Sequence, residues 1–197
     1  MIIKASARAY GGELARHLMN TQDNEHVELV SLRGFTANDL HGAFEEAEAM
    51  CAASQRASKY LFSLSLNPPS NANVSIAEFE AAAERIEEQF GLADQPRAFV
   101  LHDKNGRLHA HVVWSRIDAE TLTAKPLPFF KRRLMDIAHD LYLKHGWDMP
   151  NGLKPFGEAQ KTNYDLAEAQ QFKRAKRDPQ QLKQIFIAWW ERLDGLV

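Results

Sequence analysis

The segment His102-Asp103-Lys104-Asn105-Gly106-Arg107-Leu108-His109-Ala110-His111 gathers three of the chain's eight histidines within ten residues, astride an Asn-Gly pair. Asn-Gly between apolar runs is a strong hairpin signal, because both central residues of a type I′ turn need positive φ. With Asn105 and Gly106 as the two-residue loop, Lys104 faces Arg107, Asp103 faces Leu108 and His102 faces His109. His111 lies two residues further along the second strand and so shares a face with His109. The spacing sets three imidazoles on one face of one hairpin. Folding alone gains nothing from packing them together, whereas a cation compensates clustered nitrogen donors and fixes their tautomers. The chemistry is that of a metal site with three protein ligands and open positions for a substrate. With nitrogen ligands and no thiolate, Zn, Mn, Co, Ni and Cu all remain admissible. Arg107 shares the face of the histidines and Arg116 lies beyond them; cations beside a metal suit a phosphate substrate. Asp103 points to the opposite face, as a turn residue or as a group that orients a ligand from behind.

The hairpin needs a sheet to hold it. Residues 1–7, 26–32 and 59–66 read as strands; the last alternates cleanly (KYLFSLSL) and stops at Asn67-Pro68-Pro69. Helices are expected over 12–20, over 37–54 with Thr36 as N-cap, and over 76–90, where Ser75 and Glu78 form a capping box and Gly91 ends the helix. The hairpin strands span 97–103 and 107–117. Residues 129–145 are amphipathic, Gly146–Gly157 is a Pro/Gly-rich connection, and further helices are expected over 164–177 and 179–193. The order βαβαβαββ followed by helices describes an α+β fold: a central antiparallel sheet with flanking helices, plus a helical C-terminal segment. Residues 1–118 form the α+β core and 119–197 a helical extension that completes the domain. The closing AWWERLDGLV ends just after a helix bearing large aromatics, so the chain is expected to be the N-terminal part of a longer protein.

At 197 residues with 45% apolar and 25% charged content, the chain has ordinary globular composition. No apolar run approaches the roughly 20 residues that span a membrane, and MIIKASARAYGG lacks a signal-peptide apolar region. The lone Cys51 excludes an intramolecular disulfide and suits a reducing cytoplasm. The net charge of −2 divides into −5 over residues 1–119 and +3 over 120–197. The acidic excess, around 45–48 and 78–88, reads as solvated helix faces. The basic excess includes Lys131-Arg132-Arg133 and Lys173-Arg174-Ala175-Lys176-Arg177, which are able to contact phosphate.

HDKNGRLHAHVVWSRID resembles the third motif of plasmid relaxases, the mobilization nucleases of the MobA/VirD type in the HUH endonuclease superfamily. FSLSLNPP resembles their second motif, a serine-bearing strand near scissile DNA. QFGLADQPRAFVLHDKNGR, LKHGWDMPNGL and AEAQQFKRAKRDP are similar to the same family, so the resemblance covers most of the chain. It implies an enzyme that nicks one strand at a plasmid origin of transfer, stays attached to the 5′ phosphate, and travels with the strand through a type IV secretion channel. It further implies accessory proteins at the origin, a coupling protein, a cytoplasmic location before transfer, and no membrane insertion. His102, His109 and His111 would hold one divalent cation, Mn²⁺ or Mg²⁺, which polarises the scissile phosphate. The family commonly carries a tyrosine nucleophile on its first helix. Here the matching segment is LARHL, which puts His17 there, and some relaxases do use a histidine. Neutral imidazole is a free nucleophile at pH 7, whereas a phenol with a pKa of about 10 must be activated. Tyr10, beside Gly11-Gly12, is the alternative. Ser63 and Ser65 are expected to hydrogen-bond phosphates. Lys131, Arg132, Arg133, Lys173 and Arg174 would track single-stranded DNA, with Trp114 or Phe129 stacking on bases.

Two other functions compete. One is a replication initiator of the same superfamily, in which the nucleophile follows the metal motif and Tyr164 would serve. The other is a DNA-binding accessory protein whose catalytic centre has decayed. A histidine-triad nucleotide hydrolase needs a further alternating histidine where Val113 stands.

Overall fold

The computed structural model of the chain describes residues 1–22, 24–54, 57–154, 171, 174–175 and 178–194. It contains two compact units, Met1–Trp147 and Asp148–Val197.

In the first unit the chain runs β1 (Ile2–Arg8), α1 (Gly11–Leu18), β2 (His26–Arg33), α2 (Leu40–Ala53), β3 (Leu61–Asn67), α3 (Ile76–Phe90), β4 (Arg97–Lys104), β5 (Arg107–Ser115) and α4 (Phe130–His145). The strands form one sheet in the order β1-β3-β5-β4-β2, and every neighbouring pair is antiparallel. This is the expected α+β architecture. Strand alternation gives the sheet two different faces. Phe62, Leu64, Phe99, Leu101, Val112 and Trp114 pack with α3 and α4 into one core. Leu61, Ala98, Val100 and Val113 pack with α1 and α2 into the other. α4, expected to begin an extension after residue 118, buries Leu134, Ile137 and Leu141 in the first of these cores.

Local chemistry sets the helix ends. Ser75 and Glu78 make the expected capping box on α3, and Gly91 ends it with φ of 65°. α2 starts later than expected. Asp39, not Thr36, caps it, with its carboxylate accepting from the Gly42 amide at 3.0 Å. The Thr36 and Ala37 amides are instead tied to the Glu46 carboxylate, which holds that segment out of the helix. The acidic stretch 78–88 is likewise not all solvated. Glu87 is 3% exposed, and its Oε1 accepts from Arg33 (2.7 Å), Arg97 (3.1 Å) and the Trp114 indole (2.8 Å). A buried carboxylate needs such partners.

In the second unit, a short 3₁₀ turn spans Asn151–Leu153 and α5 spans Pro179–Asp194, with Ile185 and Trp189 exposed. The helix expected over 164–177 lies largely outside the described residues, as do Tyr164, Lys173, Lys176, Arg177 and the side chain of Trp190.

Candidate metal centre and DNA-processing site

The hairpin turns as its sequence requires. Asn105 and Gly106 both have positive φ, 55° and 70°. The register pairs Lys104 with Arg107, Asp103 with Leu108, His102 with His109 and Val100 with His111. The three imidazoles therefore stand together on the face covered by α1 and α2. Their ring centroids are 4.6 Å (His102–His111), 5.1 Å (His102–His109) and 5.4 Å (His109–His111) apart. One potential ligand atom from each lies within 4.8 Å of the others.

Electrostatics favour neutral rings. Burial, then the neighbouring imidazoles and His17, lower His111 to about 3. Burial is also the main cause that lowers His102 and His109. Each ring thus keeps a lone pair at neutral pH, as a ligand must. His102 is also oriented from outside. Its Nε2 lies 2.7 Å from the Leu18 carbonyl oxygen at the end of α1. A carbonyl only accepts, so Nε2 donates and Nδ1 carries the lone pair. The donor set fits a divalent cation.

α1 does more than orient His102. It holds His17 exposed above the triad, near enough to oppose protonation of His102 and His111. His17 and His111 line one cleft, together with Ser63 and Ser65 of β3. Tyr10 is the extended residue before α1, 72% exposed. It lines an adjacent cleft with His17 and Arg8, one that no triad histidine lines.

The remaining expected site residues divide. Ser63 and Ser65 join the triad cleft, with Ser65 Oγ also accepting from the Asn67 side chain at 3.0 Å. Arg107 stands near His109 but donates to the Pro68 carbonyl at 2.7 Å. Arg116 lies beyond the far end of β5, where its guanidinium donates to the Lys59 and Lys125 carbonyls and binds loops together. Asp103 points through the other face of the sheet, as strand alternation requires. Its Oδ1 is buried without a hydrogen-bond partner among the described residues, so it orients no triad imidazole. Lys131 and Arg132 are exposed on α4, on the sheet face opposite the triad, and Arg133 lies over the Phe90 ring at 4.2 Å. Arg174 is exposed in the second unit. Trp114 is fully buried in the core and unavailable for base stacking, whereas Phe129 is 85% exposed.

Sequence reasoning missed Lys4, Ser6 and Arg8, which line the cleft with His17 and His111. Their alternation with Ile3, Ala5 and Ala7 was the available signal, but only the non-local pairing of β1 with β3 brings them to the triad.

A family model described as "Relaxase: MobA/VirD2-like, nuclease domain" matches residues 17–147. No curated protein matches the chain, and no solved structure does. The matched stretch starts at the helix histidine over the cleft, takes in the whole hairpin, and stops at the last residue of the first compact unit. The chain therefore belongs to the relaxase family, and its first unit carries that family's DNA-nicking nuclease domain.

Proposed function

We propose that this protein nicks one strand of plasmid DNA at an origin of transfer, using His17 as the nucleophile, and serves conjugative mobilization. The observation that carries the reading is the meeting of His17 and His111 in a single cleft. In the proposed reaction an imidazole nitrogen of His17 attacks the scissile phosphorus. A nitrogen–phosphorus bond forms as the phosphorus–O3′ bond breaks. The 3′ oxygen leaves as a free hydroxyl, taking a proton from solvent as the other ring nitrogen of His17 gives its proton up to solvent, and the 5′ phosphate remains on His17 as a phosphoramidate. The high transfer potential of that linkage favours rejoining when a 3′ hydroxyl returns. His102, His109 and His111 would hold a divalent cation, Mn²⁺ or Mg²⁺, which would polarise the phosphate and neutralise developing charge. Ser63 and Ser65 hydrogen-bond the backbone of the bound strand. Single-stranded origin DNA is the substrate. Accessory proteins at the origin and a type IV coupling protein are the partners, and the adduct forms in the donor cytoplasm before transfer.

The test is a denaturing gel of protein, Mn²⁺ and single-stranded origin DNA. A covalent adduct is expected with the unsubstituted chain and with Tyr10→Phe, and none with EDTA or His17→Ala. The linkage should be acid-labile. An adduct that survives His17→Ala and disappears with Tyr10→Phe reassigns the nucleophile to Tyr10, the residue exposed beside it. Absence of any adduct with the unsubstituted chain, while DNA still binds, selects the decayed accessory protein.

A further inference from the structure

We infer that the edge strand β1 is a rail for the phosphodiester backbone, on which Lys4 and Arg8 each hold one phosphate of a single strand leaving the His111 row. The inference rests on the proposed DNA-nicking function and extends it to residues outside the matched stretch 17–147.

Alternation decides where these side chains go. Ile3 and Ala5 pack into the α3/α4 core, so Lys4, Ser6 and Arg8 occupy the triad face. Pairing then fixes their rows. Lys4 stands opposite Ser65, which stands opposite His111; Ser6 stands opposite Ser63; Arg8 stands opposite Leu61. Lys4 is thus level with the triad, and Arg8 lies four residues on, about 13 Å at ~3.3 Å per residue.

The cleft they border, about 160 Å³, is chemically one-sided. It offers two cations, the hydroxyls of Ser6, Ser63 and Ser65, and two imidazoles, with no carboxylate among its lining residues. Glu13 borders two neighbouring clefts, one of them shared with Arg8 and Tyr10, but not this one. Among the described residues, neither Lys4 nor Arg8 makes an ion pair or a side-chain hydrogen bond. Arg33, Arg97, Arg107 and Arg116 are all engaged with protein acceptors. Free cations interleaved with hydroxyls are the groups that contact DNA phosphates. Lysine on an edge strand also deters strand-to-strand aggregation, but that role requires neither the hydroxyls beside it nor a second cation at the far end of the same cleft.

Salt dependence separates the two roles. The full chain in EDTA, where no nicking intervenes, is titrated against a fluorescent oligothymidylate across a range of salt concentrations. Each phosphate neutralised on a single strand contributes about 0.7 to the slope of log K against log salt. Lys4→Met and Arg8→Met keep most of the aliphatic stem, and each should reduce the magnitude of that slope by about 0.7, the double variant by about 1.4. Lys144→Met, an exposed α4 position, should leave it unchanged. Slopes for Lys4→Met and Arg8→Met equal to that of the unsubstituted chain overturn the rail and leave the nuclease reading standing. Failure of the unsubstituted chain to bind the oligonucleotide at all overturns DNA processing itself, and the rail with it.

Discussion

His102, His109 and His111 are held neutral by burial and by one another, with ring centroids 4.6 to 5.4 Å apart. With one potential ligand atom of each ring within 4.8 Å of the others, neighbouring lone pairs repel each other, and a divalent cation removes that repulsion. Binding to the folded state alone stabilises by mass action, about 2.7 kcal/mol when the free ion is at 100 times its dissociation constant. For a chain of this size that is a rise in melting temperature of about 5–10 °C, taking ~2–4 °C per kcal/mol. The rise should appear with Mn²⁺, vanish with EDTA, and be absent from His109→Ala and His111→Ala. His17→Ala should keep it, because His17 stands over the triad rather than in it. A scanning-calorimetry series decides this. Retention of the full increment in His109→Ala would show that the ion, if bound, sits elsewhere.

α1 is the element that joins the proposed nucleophile to the histidine triad, since its Leu18 carbonyl holds His102 and its surface carries His17. Its approach to α2 and the sheet leaves no slack at Gly11. A Cβ there would come within 2.8 Å of Phe44 Cβ and 2.9 Å of the Tyr60 hydroxyl. The Gly11 amide also donates to Tyr60 Oη at 2.9 Å. Gly11→Ala should therefore cost about 1–3 kcal/mol by overpacking and, by lifting α1, lower adduct formation more than the stability loss explains. Tyr60→Phe leaves the Gly11 amide without its acceptor, at about 1–3 kcal/mol. Burial raises the Tyr60 pKa. The neutral phenol is the form the fold keeps, so its contribution is complete below the ordinary pKa of about 10 and is lost as pH rises through the raised value. Chemical denaturation of the two chains at rising alkaline pH should show Tyr60→Phe losing less stability than the parent. Equal losses would mean that Tyr60 ionises without strain. None of this close packing is visible in the sequence, where Gly11-Gly12 reads only as a helix boundary. The hairpin was legible because one turn fixes the positions of His102, His109 and His111 by local geometry. The capping box at Ser75 was legible for the same reason. Lys4, Ser6 and Arg8 were not, because strand order β1-β3-β5 is a long-range fact. Asp39 displaced Thr36 as a cap because Glu46, nearly two turns into the helix, captured the Thr36 and Ala37 amides.

Across the first unit, one sheet serves two separate tasks at its two ends. The triad occupies the end of β4 and β5 next to the Asn105-Gly106 turn. The Glu87 cluster occupies the other, where Arg97 stands opposite Trp114. Five residues of β4 separate His102 from Arg97, about 16 Å at ~3.3 Å per residue. Glu87 draws α3, β2, β4 and β5 together through a single carboxylate oxygen. Glu87→Ala leaves the largely buried Arg97 guanidinium and the buried Trp114 indole N–H without that acceptor. Removal of one partner from such a buried set costs about 3–5 kcal/mol. Sites this far apart with no shared partner contribute additively. Urea unfolding of Glu87→Ala with and without Mn²⁺ should therefore show a large loss of stability but an unchanged metal increment. Oligothymidylate binding should also be preserved in the fraction that remains folded. A metal increment that falls together with the Glu87 substitution would mean that strain at one end of β4 and β5 reaches the other, and that scaffold and site are one cooperative device rather than two ends of a rigid sheet.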